Sequence, residues 1–159
     1  SPEWRNNFRS TAFHNTIQVD DVEHNDISAC AFRAESKCEC SILEFSDTED
    51  DVTFKGNIVY YNQNTVHSRS IKLEKKYSSI IIADVIHSPG KHQARVAFNL
   101  TNASRAFKFD SSGHELKQGS CYFSDEYGRK DEIKCLSLLS NFEDEFKYKL
   151  TICKNMNKP

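Results

Sequence analysis

Phe146-Lys147-Tyr148-Lys149-Leu150-Thr151-Ile152 alternates apolar and polar residues without a break. A period of two sets one side of an extended strand against a core and the other in water. A helix would scatter the same four apolar side chains around its axis. The pattern recurs outward from this segment. Val52, Phe54, Ile58 and Tyr60 fall on one face of a second strand, and Thr53, Lys55 and Asn57 on the other. Gly56 interrupts that strand and marks a candidate bulge. Ala94, Val96 and Phe98 alternate with Arg95 and Ala97, and Phe107 and Phe109 flank Lys108. Ile80-Ile81-Ile82-Ala83 is continuously apolar, as a central strand covered on both faces requires.

Further strands are expected near residues 13–19, 29–34, 38–45, 65–73, 120–123 and 132–138. Asn62-Gln63-Asn64, Ser88-Pro89-Gly90, Ser111-Ser112-Gly113 and Tyr127-Gly128 read as turns between them. Helix signals are confined to residues 3–9 and 136–142. The expected fold is all-β: a two-sheet antiparallel β-sandwich with short helical segments, bonded by disulfides. Residues 1–159 read as a single domain, with 1–10 as a candidate linker remnant and Trp4, the sole tryptophan, packing that segment onto the body.

A chain of 159 residues can bury a core of its own, so disulfides would supplement that core. Cys30, Cys38, Cys40, Cys121, Cys135 and Cys153 make an even count without a CxxC pair, which fits disulfides better than zinc. Cys38 and Cys40 share one strand face, too close to suit a bond to each other; the pairing otherwise stays open. Asn99-Leu100-Thr101 and Asn102-Ala103-Ser104 are N-glycosylation sequons, so Asn99 and Asn102 are candidate glycan sites. Cysteines and sequons together point to a secreted, extracellular protein. No leader-like segment opens the sequence, which reads as a mature protein or an excised domain. No apolar run nears the roughly 20 residues that cross a bilayer, so no membrane contact is expected.

The net charge of −2 conceals an asymmetry. Residues 19–51 hold eleven acidic and two basic residues, whereas residues 52–159 hold eleven acidic and seventeen basic ones. An acidic patch disfavours nucleic acid and can steer a basic partner. Asp47, Glu49, Asp50 and Asp51 crowd one loop between apolar strands, where mutual repulsion predicts an extended, mobile segment. That loop reads as a solvated connection, a protein-binding site or a calcium site; the glycine and the distant glutamate of an EF-hand are not in place. A second acidic stretch covers residues 20–26.

Asp84 interrupts the apolar residues 80–86. An outward-facing position is expected, with a carboxylate presented from a rigid sheet as the alternative. Tyr60-Tyr61 places one ring on each face, leaving one exposed as a candidate contact. His14, His24, His67, His87, His92 and His114 show no paired metal spacing and receive no metal role. No GxSxG, HExxH, P-loop or Rossmann glycine pattern appears, so no catalytic residue, cofactor or enzymatic activity is expected.

In its length, its Ser1-Pro2-Glu3-Trp4 start, its strand-rich pattern and its acidic loop at residues 47–51, the chain resembles the SECRET domain. That family comprises chemokine-binding carboxy-terminal domains of secreted poxvirus tumour necrosis factor receptor homologues, such as cytokine response modifier D. The viral CC-chemokine inhibitors are related sandwiches. The resemblance implies an immune-evasion module, part of a longer receptor chain, that sequesters host chemokines. Asp47, Glu49, Asp50 and Asp51 would meet the basic ligand, with Tyr61 and Asp84 on the sheet face. The competing expectations are an immunoglobulin-like ectodomain, a calcium- or carbohydrate-binding module, and a secreted hydrolase.

Overall fold

The alternating segment at 146–152 lies in the longest strand of the protein. The computed structural model describes residues 2–27, 33–61, 64–126 and 128–155. Helix α1 (Pro2–Arg9) and a single turn at Thr11–Phe13 come first. The strands are β1 (Ile17–Val19), β2 (Asn25–Asp26), β3 (Glu35–Ser36), β4 (Cys38–Asp47), β5 (Asp51–Tyr60), β6 (Val66–Glu74), β7 (Ser79–Leu100), β8 (Phe107–Asp110), β9 (Lys117–Phe123) and β10 (Asp131–Lys154). All described pairings are antiparallel. The all-β expectation holds.

Eight strands form one hydrogen-bonded sheet in the order β4-β5-β6-β7-β10-β8, with β1 on β7 and β9 on β10. β2 and β3 form a separate ladder. β7 has 22 residues and would extend about 70 Å if straight. A domain of this length is only about 40 Å across. The strand therefore bends. β6 pairs with residues 79–87 of β7, whereas β1 pairs with residues 94–96. Glu143 faces Lys91, but Asp144 faces Ser88, so Pro89 and Gly90 are extra residues on β7. Gly90 (φ 99°) and Asp144 (φ 61°) both adopt left-handed backbone there. The Gly90 amide donates to Asp144 Oδ1 at 2.8 Å, joining the two bent strands.

The bend folds one sheet into the two layers of a β-sandwich. Ile86, Phe146, Tyr148 and Leu150 from one layer pack with Ile17, Val19, Val96 and Phe98 from the other. The Phe98 and Tyr148 rings stack across the layers, 6.2 Å between centroids. Ser88-Pro89-Gly90, expected as a turn between strands, is this internal bulge. Residues 136–142, expected as a helix, run on through β10, because Leu136 and Leu138 alternate inward with the core.

On β4 the register slips between Ile42 and Glu44, across from Gly56. The bulge thus lies in the partner of the strand in which it was expected. A Cβ at Gly56 would stand 3.0 Å from the Ser41 carbonyl oxygen and 3.1 Å from the Phe54 ring. Gly56→Ala is expected to cost about 1–3 kcal/mol through that overcrowding, read in a denaturant melt. α1 is held against the sandwich rather than hanging from it. The Trp4 ring meets Tyr122 edge-on at 4.8 Å, and Lys130 Nζ lies 3.7 Å above the Trp4 ring.

No disulfide joins the five described cysteines, Cys38, Cys40, Cys121, Cys135 and Cys153. Cys30 and most of the strand expected at 29–34 fall outside the described residues.

Candidate functional site

Two polar clusters sit side by side where β6 meets the bend of β7. The first is buried. Arg69 of β6 lies in register with Asp84 of β7. Its Nε donates to Asp84 Oδ1 at 2.6 Å and its Nη2 to Oδ2 at 3.1 Å. His67 Nε2 lies 2.7 Å from Asp84 Oδ1. Arg69 Nη1 also reaches the Asn15 carbonyl at 2.7 Å, tying the cluster to the segment before β1. Asp84 is 1 % exposed. Burial pushes its pKa up, but the hydrogen bonds from His67 and Arg69 outweigh that and hold it below the usual carboxylate value.

The outward position expected for Asp84 is therefore wrong. Arg69 and His67, two residues apart on one face of β6, supply the donors that make its burial affordable. Tyr148 stands opposite Asp84 on β10, and burial first, then the Asp84 charge, pushes its phenol up to about 12. His67 Nδ1 and the Tyr148 hydroxyl are buried without a hydrogen-bond partner among the described residues. Beside them the Tyr60 hydroxyl lies 2.6 Å from His24 Nε2. Burial, then the nearby His67, lowers the His24 pKa and favours the neutral ring.

The second cluster opens to solvent. Thr65 Oγ1 lies 2.6 Å from Ser88 Oγ, in reach of the first cluster's strand. Ser88 Oγ lies 3.0 Å from His92 Nε2, and His92 Nδ1 lies 2.6 Å from Asp20 Oδ2. The Pro89 carbonyl accepts from His92 Nε2 at 2.9 Å. The Asp20 carboxylate on one ring nitrogen and the Pro89 carbonyl near the other favour the protonated ring. Ser88 is wholly buried. The Ser-His-Asp row is thus a brace across the bend rather than a nucleophile and its base. Asp20 reaches it from a turn in which Asp20 and Asp21 both have left-handed backbone, and it also accepts from the Gln93 amide at 2.8 Å.

The hydrogen bond to Asp20 first, then that to Pro89, raises the His92 pKa. A raised folded pKa gives stability that is complete below the ordinary histidine value of about 6.5 and lost as pH rises through the folded value. The contact is half open to water, so its contribution is at most about 1 kcal/mol. His92→Gln should therefore melt below the unsubstituted protein at pH 6, with the gap closing toward pH 9.

Beside His92 is an open cleft of about 660 Å³ lined by Asp20, Lys91, His92, Gln93, Asn141, Phe142 and Glu143. Gln93 Nε2 donates to Asn141 Oδ1 at 3.1 Å across the β7–β10 pair. One aromatic ring, two amides and charges of both signs line the cleft, and the polar groups can hydrogen-bond the substituents of a sugar ring. None of these residues except Asp20 and His92 was singled out in the sequence, and neither of those two for this role. They come together only through the bend, which spacing along the chain does not announce.

The expected contact residues are placed elsewhere. The loop at residues 47–51 is a tight hairpin rather than an extended segment. Thr48 N donates to the Asp51 carbonyl at 2.8 Å. Lys75 Nζ meets Asp47 at 2.6 Å and Lys72 Nζ meets Asp51 at 3.0 Å. Two of its four carboxylates are thus matched by the protein's own lysines. In the second acidic stretch Glu23 accepts from Thr11 N at 2.7 Å and Asp20 braces His92. Tyr60 is buried and Tyr61 exposed. The Asn99 side-chain amide donates to the Phe13 carbonyl at 2.7 Å. Among the described residues, no three His, Cys, Asp or Glu side chains gather as a metal site would require.

A family model described as heparinase II/III-like, C-terminal, matches residues 1–136. No curated protein sequence matches the chain. The fold is similar to that of the heparan sulfate lyase HepC from Pedobacter heparinus, with TM-score 0.77, 12% identity, and coverage of 99% of this chain and 26% of that one. A solved heparinase III matches with TM-score 0.73 and 12% identity, covering 97% of this chain and 25% of that one. A heparinase III gene product matches with TM-score 0.72 and 15% identity over 96% of this chain and 25% of its own. The chain spans about a quarter of the length of these structures. These findings overturn the resemblance to the SECRET domain. With it fall the viral immune-evasion role, the chemokine partner, the receptor-homologue context and the reading as a module unconnected with enzymes. The ectodomain and calcium-module alternatives find no support either.

Proposed function

The chain belongs to the heparinase II/III-like, C-terminal family, and we propose that it serves as the β-domain of a polysaccharide lyase acting on a glycosaminoglycan. Its part in that enzyme is to bind and orient the acidic chain. The observation that supports this reading is the cleft at the bend, which combines Phe142, Gln93, Asn141 and Lys91 on a rigid pair of strands. The Phe142 ring, packed against His92 and Phe146, lines the cleft from the core side. The amides of Gln93 and Asn141 address hydroxyl groups, and Lys91 addresses a carboxylate or sulfate. Asp20 faces His92, and Lys91, across the ladder from Glu143, is the cation that addresses the ligand. Extracellular placement, expected from the cysteines and sequons, belongs to the same proposal.

The test is calorimetric titration of the protein with heparan sulfate oligosaccharides, alongside a neutral polysaccharide of similar length. The acidic oligosaccharide should bind and the neutral one should not. Lys91→Ala should weaken binding by about tenfold and Asn141→Ala by about fivefold, as loss of one charged and one neutral hydrogen bond. Equal affinity of both variants and the unsubstituted protein would remove the cleft from the account.

A further inference from the structure

We propose that Cys121 and Cys135 form a redox-convertible pair that closes into a disulfide between β9 and β10. Cys121 stands opposite Ile133 and Cys135 opposite Gly119, so the two cysteines are diagonal neighbours on one face of the ladder. Strand twist draws one such diagonal together, near enough for the Cys135 thiol to raise the pKa of Cys121. Gly119 bears no side chain opposite Cys135. A Cβ built there would lie 3.5 Å from the Cys135 sulfur, so that space is open for the sulfur to turn. Both cysteines are half-buried, within reach of a small oxidant.

The other described cysteines lack this arrangement. Cys38 and Cys40 are two apart on one strand, a spacing that disulfide geometry does not bridge. Cys153 lies opposite Ser79 and Lys108 in the other layer. The inference is independent of the lyase reading.

The oxidant is a small-molecule disulfide. One thiol of the pair, as its thiolate, attacks that disulfide; a mixed disulfide forms and one small thiolate leaves. The second cysteine thiolate attacks the protein sulfur of the mixed disulfide. The bond between Cys121 and Cys135 forms and the second small thiolate departs. The two cysteines lose two protons and two electrons, and the small disulfide is reduced to two thiols. Burial and the neighbouring Cys135 push the Cys121 thiol up to about 11. Closure should therefore accelerate by about tenfold per pH unit between pH 7 and 9.

Among the described residues β9 pairs only with β10, and Tyr122, next to Cys121, carries Trp4 of α1. The crosslink would pin this outer strand and the platform beneath the helix.

The folded protein is incubated with oxidised glutathione, the remaining thiols are blocked, and the peptides are mapped by mass spectrometry with and without reductant. The expected result is a reducible link between the Cys121 and Cys135 peptides, with Tm raised by about 5 °C. Cys121→Ser and, separately, Cys135→Ala should abolish the link and the Tm rise. Stable glutathione adducts on both cysteines, links from either to another cysteine, or a link that leaves Tm unchanged would each overturn the proposal.

Discussion

Arg69→Ala should lower stability by about 3–5 kcal/mol, because it strands a buried carboxylate. In a domain of this size that corresponds to a Tm lower by about 10 °C. Arg69 provides two of the hydrogen bonds to Asp84 and fastens the strand to the Asn15 carbonyl. Once it is gone, His67 is the one described side chain left hydrogen-bonding the Asp84 carboxylate. Lys147→Ala, by contrast, removes an exposed ion pair with Glu145 and should change stability little. The loss at Arg69 also has a pH signature. Asp84 has its pKa depressed in the fold, so its pairing stabilises above the ordinary carboxylate value of about 4 and fades as pH falls through the lower folded value. The gap between Arg69→Ala and the unsubstituted protein should narrow in acid, read as Tm from pH 7 to pH 3.

Phe98→Ala should cost about 3–5 kcal/mol in a denaturant melt, as expected for a large aromatic removed from a packed core. Phe98 is buried and stacks on Tyr148 from the opposite layer. The size of the loss reports whether the two arms of the bent sheet press on each other. Phe123→Ala is the comparison, since Phe123 is an exposed aromatic on β9, and it should cost under about 1 kcal/mol. A loss at Phe98 no greater than at Phe123 would mean that the layers do not meet as described.

Alternation made much of this fold legible. The segments around Val96 and Tyr148 lie in strands with the expected faces inward, the segment around Phe54 lies in a strand whose two faces are buried alike, and the run at Ile80–Ile82 is central, between β6 and β10. Local pattern does not distinguish a turn that ends a strand from a bulge that bends it. Ser88-Pro89-Gly90 has turn chemistry, yet its residues are held between two strands that continue beyond it. Nor does alternation tell which apolar run belongs to which layer. The site was less legible for the same reason. Asp84 reads as a misplaced charge until Arg69 and His67 are seen opposite it, and Asp20 meets His92 across 72 positions of sequence. The acidic loop drew attention through its composition. Its lysine partners, Lys72 and Lys75, come from the next hairpin and neutralise half of its carboxylates.

The central claim is that the cleft at the bend receives an acidic polysaccharide. The most direct measurement is titration of the isotope-labelled protein with a heparan sulfate oligosaccharide, followed residue by residue through its amide resonances. The account predicts shifts that saturate together at Lys91, Gln93, Asn141 and Phe142. Shifts confined to the outer lysines Lys147 and Lys149, or none at all, would contradict it.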